Sequence, residues 1–313
     1  MGSPSDNAAS VAEERLRLCY SGQTCDWARF YAPKTQMLNF ATRYHLVYPA
    51  LGYFLDMKHD PARADRIRPL LDTIYRGLLE PRCWEYWHTE LEETAWPLQE
   101  RNLTYAGRLA TFTGLYIDAF GEPPTDQIEL DGHAMTYNEL SHNLWEQMTK
   151  SPSCGVSCYH HESMLMCNAH MLINNVLHDR LFGTDFRSAN TAWLTTIDDH
   201  LVRDQKNGPL FYFGTQADSP EPIEKNRSVG ADFWSLFLMS SIVPERVVEW
   251  FRHAQRNIVH EDETAHVQVA DWEPQMEFSS DELASAWAFC LAKELGELNL
   301  AASLERYLEP RVL

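Results

Sequence analysis

Apolar residues recur at three- and four-residue steps along most of the chain, the spacing that lines one face of an α-helix. This pattern predicts helices over Met37–Asp56, Ala64–Leu79, Asn102–Phe120, Tyr137–Met148, His161–Phe182, Ala189–Val202, Ala231–Ser241, Glu245–Val259, Asp281–Leu295 and Leu300–Leu308. Ser279-Ser280-Asp281-Glu282 ahead of Leu283 reads as a capped helix start, and Gly121-Glu122-Pro123-Pro124 and Gly183-Thr184-Asp185 read as helix exits. Strand-like alternation is scarce, with Leu210–Phe213 the one short extended stretch expected. The expected fold class is therefore all-α. Many helices joined by short loops favour a helical-hairpin toroid over a four-helix bundle. Residues 1–10 are expected to be disordered, and residues 11–313 to form one domain. The polar, Pro- and Gly-bearing loop 203–229 is long enough to act as a lid or to pack on a neighbour.

Composition narrows the partners. The 45 Asp and Glu residues against 26 Lys and Arg give a net charge of −19. That argues against nucleic acid and anionic membrane surfaces. With 10 Trp, 13 Tyr and 14 Phe the chain has material for a large apolar pocket. No window holds eighteen uninterrupted apolar residues, so no membrane span is expected. The first ten residues lack the basic and apolar regions of a signal peptide, and position 6 is Asp, against myristoylation. Seven cysteines without a secretion signal point to free thiols in a reducing, cytoplasmic compartment.

Familiar catalytic motifs are missing. GxGxxG, Walker A and GxSxG do not occur, and His161-Glu162 lacks the second histidine of a zinc HExxH motif. Asp198-Asp199-His200 is short of the fifth-position acid that a diphosphate-ionising magnesium cluster requires, because position 202 is Val, so it reads as a solvated helix end. His160, His161, His170 and His178 lie together without a clean four-ligand spacing, so no zinc site is expected.

One chemical hint remains. Cys158 and Cys167 lie nine residues apart in Ser-Pro-Ser-Cys-Gly-Val-Ser-Cys-Tyr-His-His-Glu-Ser-Met-Leu-Met-Cys-Asn, residues 151–168. Turn formers open the segment, which predicts Cys158 at a helix entrance, where helix N–H groups favour a thiolate or anion. Cys167 is then expected two to three turns along the same helix, on nearly the same face. A buried core role for both is the alternative.

Cys158 and Cys167-Asn168, followed by Asp179-Arg180-Leu-Phe-Gly183-Thr184-Asp185-Phe186-Arg187 and Ala192-Trp193-Leu194, resemble the linalool dehydratase/isomerase family. The resemblance extends through Asn102-Leu-Thr-Tyr105-Ala-Gly107-Arg108, Gly114-Leu115-Tyr116, Leu283-Ala284-Ser285-Ala286-Trp287 and Leu291-Ala292-Lys293-Glu294-Leu295-Gly296, with Tyr20-Ser21 and Cys25 near the start. It implies an (α,α)6 barrel around an apolar cavity. It also implies cofactor-free chemistry on small isoprenoid alcohols, and cyclic homo-oligomers in which a neighbour's N-terminal segment closes each site. Carried over residue by residue, Cys158 and Cys167 match the family's active-site cysteines, Tyr20 a site tyrosine, and Glu14 the region of a site aspartate. Cys25 and Cys83 match a second pair that could form a disulfide; a reducing compartment predicts thiols instead.

Three positions depart from the family. Its catalytic histidine falls on Arg108, a second site tyrosine on or beside Phe40, and a third near Gly230. Arginine is a permanent cation and a poor proton shuttle, but it binds carboxylates and polarises carbonyls. The expected function is a lyase or isomerase of specialised terpenoid metabolism. Cys158, Cys167, Tyr20, Glu14 and Arg108 would carry the chemistry, and Phe40, Tyr44, Trp84, Trp87, Tyr105 and His161 would line the substrate. The alternatives are a pericyclase (a Diels–Alderase-type cyclase) with Arg108 as donor to a carbonyl or carboxylate, and a non-catalytic lipophile-binding paralogue.

Overall fold

The structure, a computed structural model, describes residues 38–89, 91–158, 161–203, 208–270 and 280–312, with side chains from Leu46 onward except at 49, 82 and 312. The fold is mostly helical with small sheets, as the periodicity predicts. In chain order the helices are α1 (Leu38–His59), α2 (Ala64–Leu78), α3 (Pro81–Trp84), α4 (Tyr86–Thr89), α5 (Leu103–Phe120), α6 (Tyr137–Lys150), α7 (Leu165–Phe182), α8 (Ser188–Thr196), α9 (Val229–Met239), α10 (Pro244–Ala254), α11 (Asp281–Glu294) and α12 (Leu298–Val312). The strands are β1 (Ile128–Leu130), β2 (His133–Met135), β3 (Glu162–Met164), β4 (Gly214–Gln216), β5 (Ile258–Glu261) and β6 (Thr264–Val267), paired antiparallel as β1–β2, β3–β4 and β5–β6. The contacts divide into two compact units, residues 38–99 with 108–140 and residues 100–107 with 141–312.

In the first unit α1 packs on α2 and α3. Its core includes Leu71, Ile74, Tyr75 and Phe112. Tyr75 stacks on Phe112 with ring centroids 5.9 Å apart, and Phe54 meets Phe112 edge-on at 5.6 Å. Tyr116 Oη donates to Asp72 Oδ1 at 2.5 Å and accepts from Arg68 Nε at 3.2 Å. α5 ends as its glycine predicts: Gly121 has φ +77° and donates to Ile117 O at 2.8 Å.

In the second unit α9 is buried from Val229 to Leu236 and packs against α7, α10 and α11. Its start is capped by Ser228 Oγ, which accepts from Ala231 N at 3.5 Å. α11 starts at the predicted cap, with Ser280 Oγ accepting from Leu283 N at 3.1 Å. α7 is buried on every side from Leu165 to Leu172, so it is a core helix rather than an amphipathic surface one. Polar side chains on such a helix need partners. Asn174 Oδ1 accepts from Ser141 Oγ at 3.2 Å, and Asn175 Nδ2 donates to Asn190 Oδ1 at 2.8 Å.

The turn from α7 into α8 explains much of the string Asp179–Arg187. Gly183, at φ +69°, terminates α7 in a left-handed conformation that a Cβ would strain. Asp179 Oδ1 accepts from Thr184 Oγ1 and from Phe186 N, and its Oδ2 accepts from Arg187 N at 3.0 Å. One carboxylate thus accepts from three donors of the turn.

Four expectations need correction. α7 does not begin at His161: residues 162–164 pair with β4 as β3, and Leu165 N, at the start of α7, donates to Phe213 O. The C-terminal part of the loop 203–229 is not a detached lid. Gly214–Gln216 pairs with β3, and buried Asp232 accepts from Leu210 N and from Phe211 N, the latter at 3.1 Å. The expected strand at Leu210–Phe213 lies entirely before β4, and the helix expected through Val259 gives way after Ala254 to a 3-10 turn and β5.

His178 supplies a pH test. Its ring stacks on Phe186, centroids 4.2 Å apart, and its Nδ1 bonds Thr184 Oγ1 at 2.8 Å. Burial first, and nearby His142 second, lower its pKa from 6.5 to about 4, against the opposing pull of Asp179. The unfolded chain thus takes up this proton near pH 6.5, the folded chain only near pH 4, and folding stability falls as pH drops through that window. Thermal melts of the wild type should lose Tm between pH 6.5 and 4 more steeply than melts of His178→Gln; parallel pH profiles would show that this histidine does not contribute.

Candidate functional site

The site is built in the second unit from three pieces of chain: the start of α5, the segment 151–158, and β3 with the first turn of α7. The segment 151–158 has no helix or strand of its own, so its shape depends on what holds it. Asn168, in the second turn of α7, does most of that. Its Oδ1 accepts from Val156 N at 2.8 Å, and its Nδ2 donates to Val156 O at 3.1 Å and to Met164 O at 3.0 Å. The amide thereby imitates a neighbouring strand. From the other side, Leu103 N donates to Ser157 O at 3.1 Å, which ties the segment to the start of α5. Gly155 lies against the Trp193 ring, where a Cβ would stand 2.6 Å from Cζ3, so the close approach requires a residue without a side chain.

Cys158 is not on a helix, contrary to the expectation from spacing. It precedes β3, and the chain turns back on itself so that Cys158 N donates to Glu162 O at 2.7 Å. The turn includes His161, exposed at φ +59°. Met164, the residue that caps α7, donates its backbone N–H to Cys158 Sγ at 3.3 Å. Cys167 is the third residue of α7, within the first turn, where the helix carries partial positive charge. The shared helix face expected for the two cysteines is absent, because Cys158 precedes β3 and only Cys167 lies on α7. Thr104 Oγ1 lies 3.4 Å from the backbone carbonyl oxygen of Cys158 and 3.6 Å from Cys167 Sγ. Thr104 and Cys158 are completely buried, and Cys167 nearly so.

The remaining candidates are distributed as follows. Tyr105 is buried next to Thr104 in the second unit. Arg108, Trp84 and Trp87 belong to the first unit. Arg108 is 1% exposed, and its Nη2 donates to Tyr48 Oη at 3.5 Å. Trp87 is buried with Nε1 donating to Ala95 O at 2.8 Å, while half-buried Trp84 donates to Leu79 O at 3.1 Å. Cys83 donates its thiol to Gly77 O at 3.2 Å. Glu14, Tyr20 and Cys25 lie outside the described residues, as do the side chains of Phe40 and Tyr44. Among the described residues no three His, Cys, Asp or Glu side chains gather as metal ligands would. Asp198 instead pairs with Arg246 at 2.8 Å on an exposed π-helical turn.

A sequence model described as linalool dehydratase/isomerase matches residues 43–312. The chain belongs to the linalool dehydratase/isomerase family. The matched range contains both cysteines, Thr104, Asn168 and Arg108, and begins after Glu14, Tyr20 and Phe40. Sequence reasoning missed Thr104 and gave Asn168 no role. A polar residue inside the apolar run Leu103–Ala106 was the available signal for Thr104.

Asn168 makes a stability prediction. Asn168→Ala removes three hydrogen bonds and leaves Val156 N and Val156 O without this partner in a buried setting. The expected loss is about 2–4 kcal/mol in a denaturant titration. Asn168→Asp, which keeps one acceptor and loses the amide donors, should lose stability too. A change below about 0.5 kcal/mol for both would show that the clamp does not hold the loop.

Proposed function

We propose that this member of the linalool dehydratase/isomerase family is a lyase or isomerase of specialised terpenoid metabolism, acting on a small apolar alcohol through its two cysteines. The observation that supports the reading is that Thr104 Oγ1 stands beside both cysteine residues, at the backbone carbonyl of Cys158 and at the sulfur of Cys167, inside a buried site. The family is one of lyases and isomerases, and the chain matches it over residues 43–312. In the proposed dehydration, a cysteine S–H protonates the departing hydroxyl, the C–O bond breaks and water leaves. The second cysteine, as thiolate, takes a proton from the adjacent carbon to form the double bond. The pair ends with thiol and thiolate exchanged, so atoms and charge balance. An isomerisation uses the same two groups, with the hydroxyl returned at another carbon.

The reading extends to architecture. The helices are proposed to form an (α,α)6 barrel around an apolar cavity. Its copies would assemble as a ring in which Tyr20 and Glu14 of one chain polarise the hydroxyl bound by the next.

A second reading, a pericyclase, is favoured by one observation: Arg108 keeps its guanidinium buried, bonded to a tyrosine hydroxyl. Such a donor activates a carbonyl or carboxylate without moving a proton.

Purified protein incubated with linalool and related allylic alcohols, with products followed by mass spectrometry, separates the two. Under the first reading, Cys158→Ala and Cys167→Ala each lower kcat/KM by about 100- to 10,000-fold, and product formed in D2O carries carbon-bound deuterium. Under the second, a diene–dienophile substrate turns over in both alanine variants, Arg108→Met loses activity, and no deuterium enters the product. Near-normal dehydration by both alanine variants would refute thiol chemistry.

A further inference from the structure

We infer that Ser157 is the residue that binds the hydroxyl of the substrate, and so selects an alcohol over the hydrocarbon of the same shape. The inference rests on the proposed lyase/isomerase reading for what the ligand is, and on the burial and bonding of Ser157 for where its hydroxyl binds.

The polar groups around Ser157 are engaged. Val156 N and O bond the Asn168 amide, Ser157 O accepts from Leu103 N at 3.1 Å, and Cys158 N donates to Glu162 O at 2.7 Å. The other serines of segment 151–158 have partners as well. Ser151 Oγ lies 3.0 Å from Ser153 Oγ and donates to Ala217 O at 3.2 Å, and Ser153 Oγ accepts from Gly155 N at 3.3 Å. Ser157 Oγ is the exception. The residue is 7% exposed, and its hydroxyl has no hydrogen-bond partner among the described residues. A hydroxyl that leaves water without gaining a partner works against folding, and folded proteins keep few of them. The hydroxyls of Thr215 and Ser235 share that condition, but Ser157 alone of the three is next in sequence to a site cysteine.

The place of Ser157 suits a ligand. Consecutive residues of the segment meet consecutive residues at the start of α5: Ser157 O meets Leu103 N, and Cys158 O meets Thr104 Oγ1. The backbone on both sides of the Ser157 hydroxyl is therefore held before a ligand arrives, which keeps the ordering cost of binding low. Consecutive Cα atoms stand about 3.8 Å apart, so Ser157 Oγ lies within about 6 Å of the Cys158 Cα in any rotamer. An isoprenoid alcohol that reaches the cysteine is long enough to reach the serine. A serine hydroxyl both donates and accepts, so it complements an alcohol O–H, which does the same, and it adds no charge to a buried site. A hydrocarbon would leave it unpaired, and a buried polar group left unpaired is what lets a site reject a ligand that lacks the matching group.

The test measures equilibrium binding to the intact protein by tryptophan fluorescence, with two probes. One is linalool; the other is 3,7-dimethylocta-1,6-diene, the same skeleton with hydrogen in place of the hydroxyl. The wild type should bind the alcohol more tightly than the diene. Ser157→Ala should weaken linalool binding about 5- to 50-fold and leave diene binding within about two-fold, so that the preference for the alcohol collapses. Melts of substrate-free Ser157→Ala should match the wild type or exceed it, because the variant removes a hydroxyl without a partner in the described fold. An unchanged preference, or an equal loss for both probes, overturns the inference. So does a fall in Tm of the substrate-free variant, which would place the hydroxyl's bond inside the fold. A wild type that binds neither probe refutes the terpenoid reading and the inference with it. A preference that depends on Ser157, in a protein whose Cys158→Ala and Cys167→Ala variants turn over linalool normally, keeps the inference and refutes thiol chemistry instead.

Discussion

The cysteine site depends on one side-chain amide. Segment 151–158 carries Cys158 but has no helix or strand of its own, and it runs through the interior where unpaired backbone groups are costly. Asn168 answers the backbone of Val156 with both an acceptor and a donor, and spends its second N–H on Met164 O. Because Asn168 sits one residue after Cys167, the amide that shapes the loop also sets its register against α7. The loop and the helix start are therefore one mechanical piece, and the distances around Thr104 follow from it.

The same economy appears at the other end of α7. Asp179 gathers the donors of the turn as Asn168 gathers those of the loop, and Gly183 supplies the left-handed residue that lets the chain reverse. Between them lie two buried asparagines with hydrogen-bonded partners. A helix with polar residues on several faces is stable inside a protein only if each finds a partner, which makes its position specific. α7 is thus an unusually well-specified core helix, and α9, apolar almost throughout, is the surface it packs against.

The helices were legible in the sequence because helical periodicity survives burial on one side, and their caps were legible because Ser280, Gly121 and Gly183 act locally. The strands were not. β1 to β4 have three residues each, too few to show a period of two, and β3 is created by its partner β4 rather than by its own composition. That is also why α7 was expected to start at His161: Glu162-Ser163-Met164 fits a helical pattern until Gly214–Gln216 pairs with its backbone. Cys158 was expected at a helix entrance, on nearly the same face as Cys167. The chain instead reverses so that Cys158 N reaches Glu162 O, with His161 left-handed, a residue type with no strong signal for that conformation. Thr104 was invisible because its meaning lies entirely in what stands opposite it, more than fifty residues away in sequence.

These facts bear on how far family membership constrains chemistry. The most recognisable string, Asp179 to Arg187, is a helix-to-helix turn closed by its own hydrogen bonds, and Asn168 is a clamp. Selection for folding alone is enough to hold such residues, so a match that relies on them speaks first about architecture. Arg108 is different. Burying a guanidinium is expensive unless its donors are engaged, and a histidine at the same place would need fewer partners. The described donor of Arg108 goes to Tyr48 Oη, so the buried guanidinium ties α5 to α1 within the first unit and carries a packing role of its own.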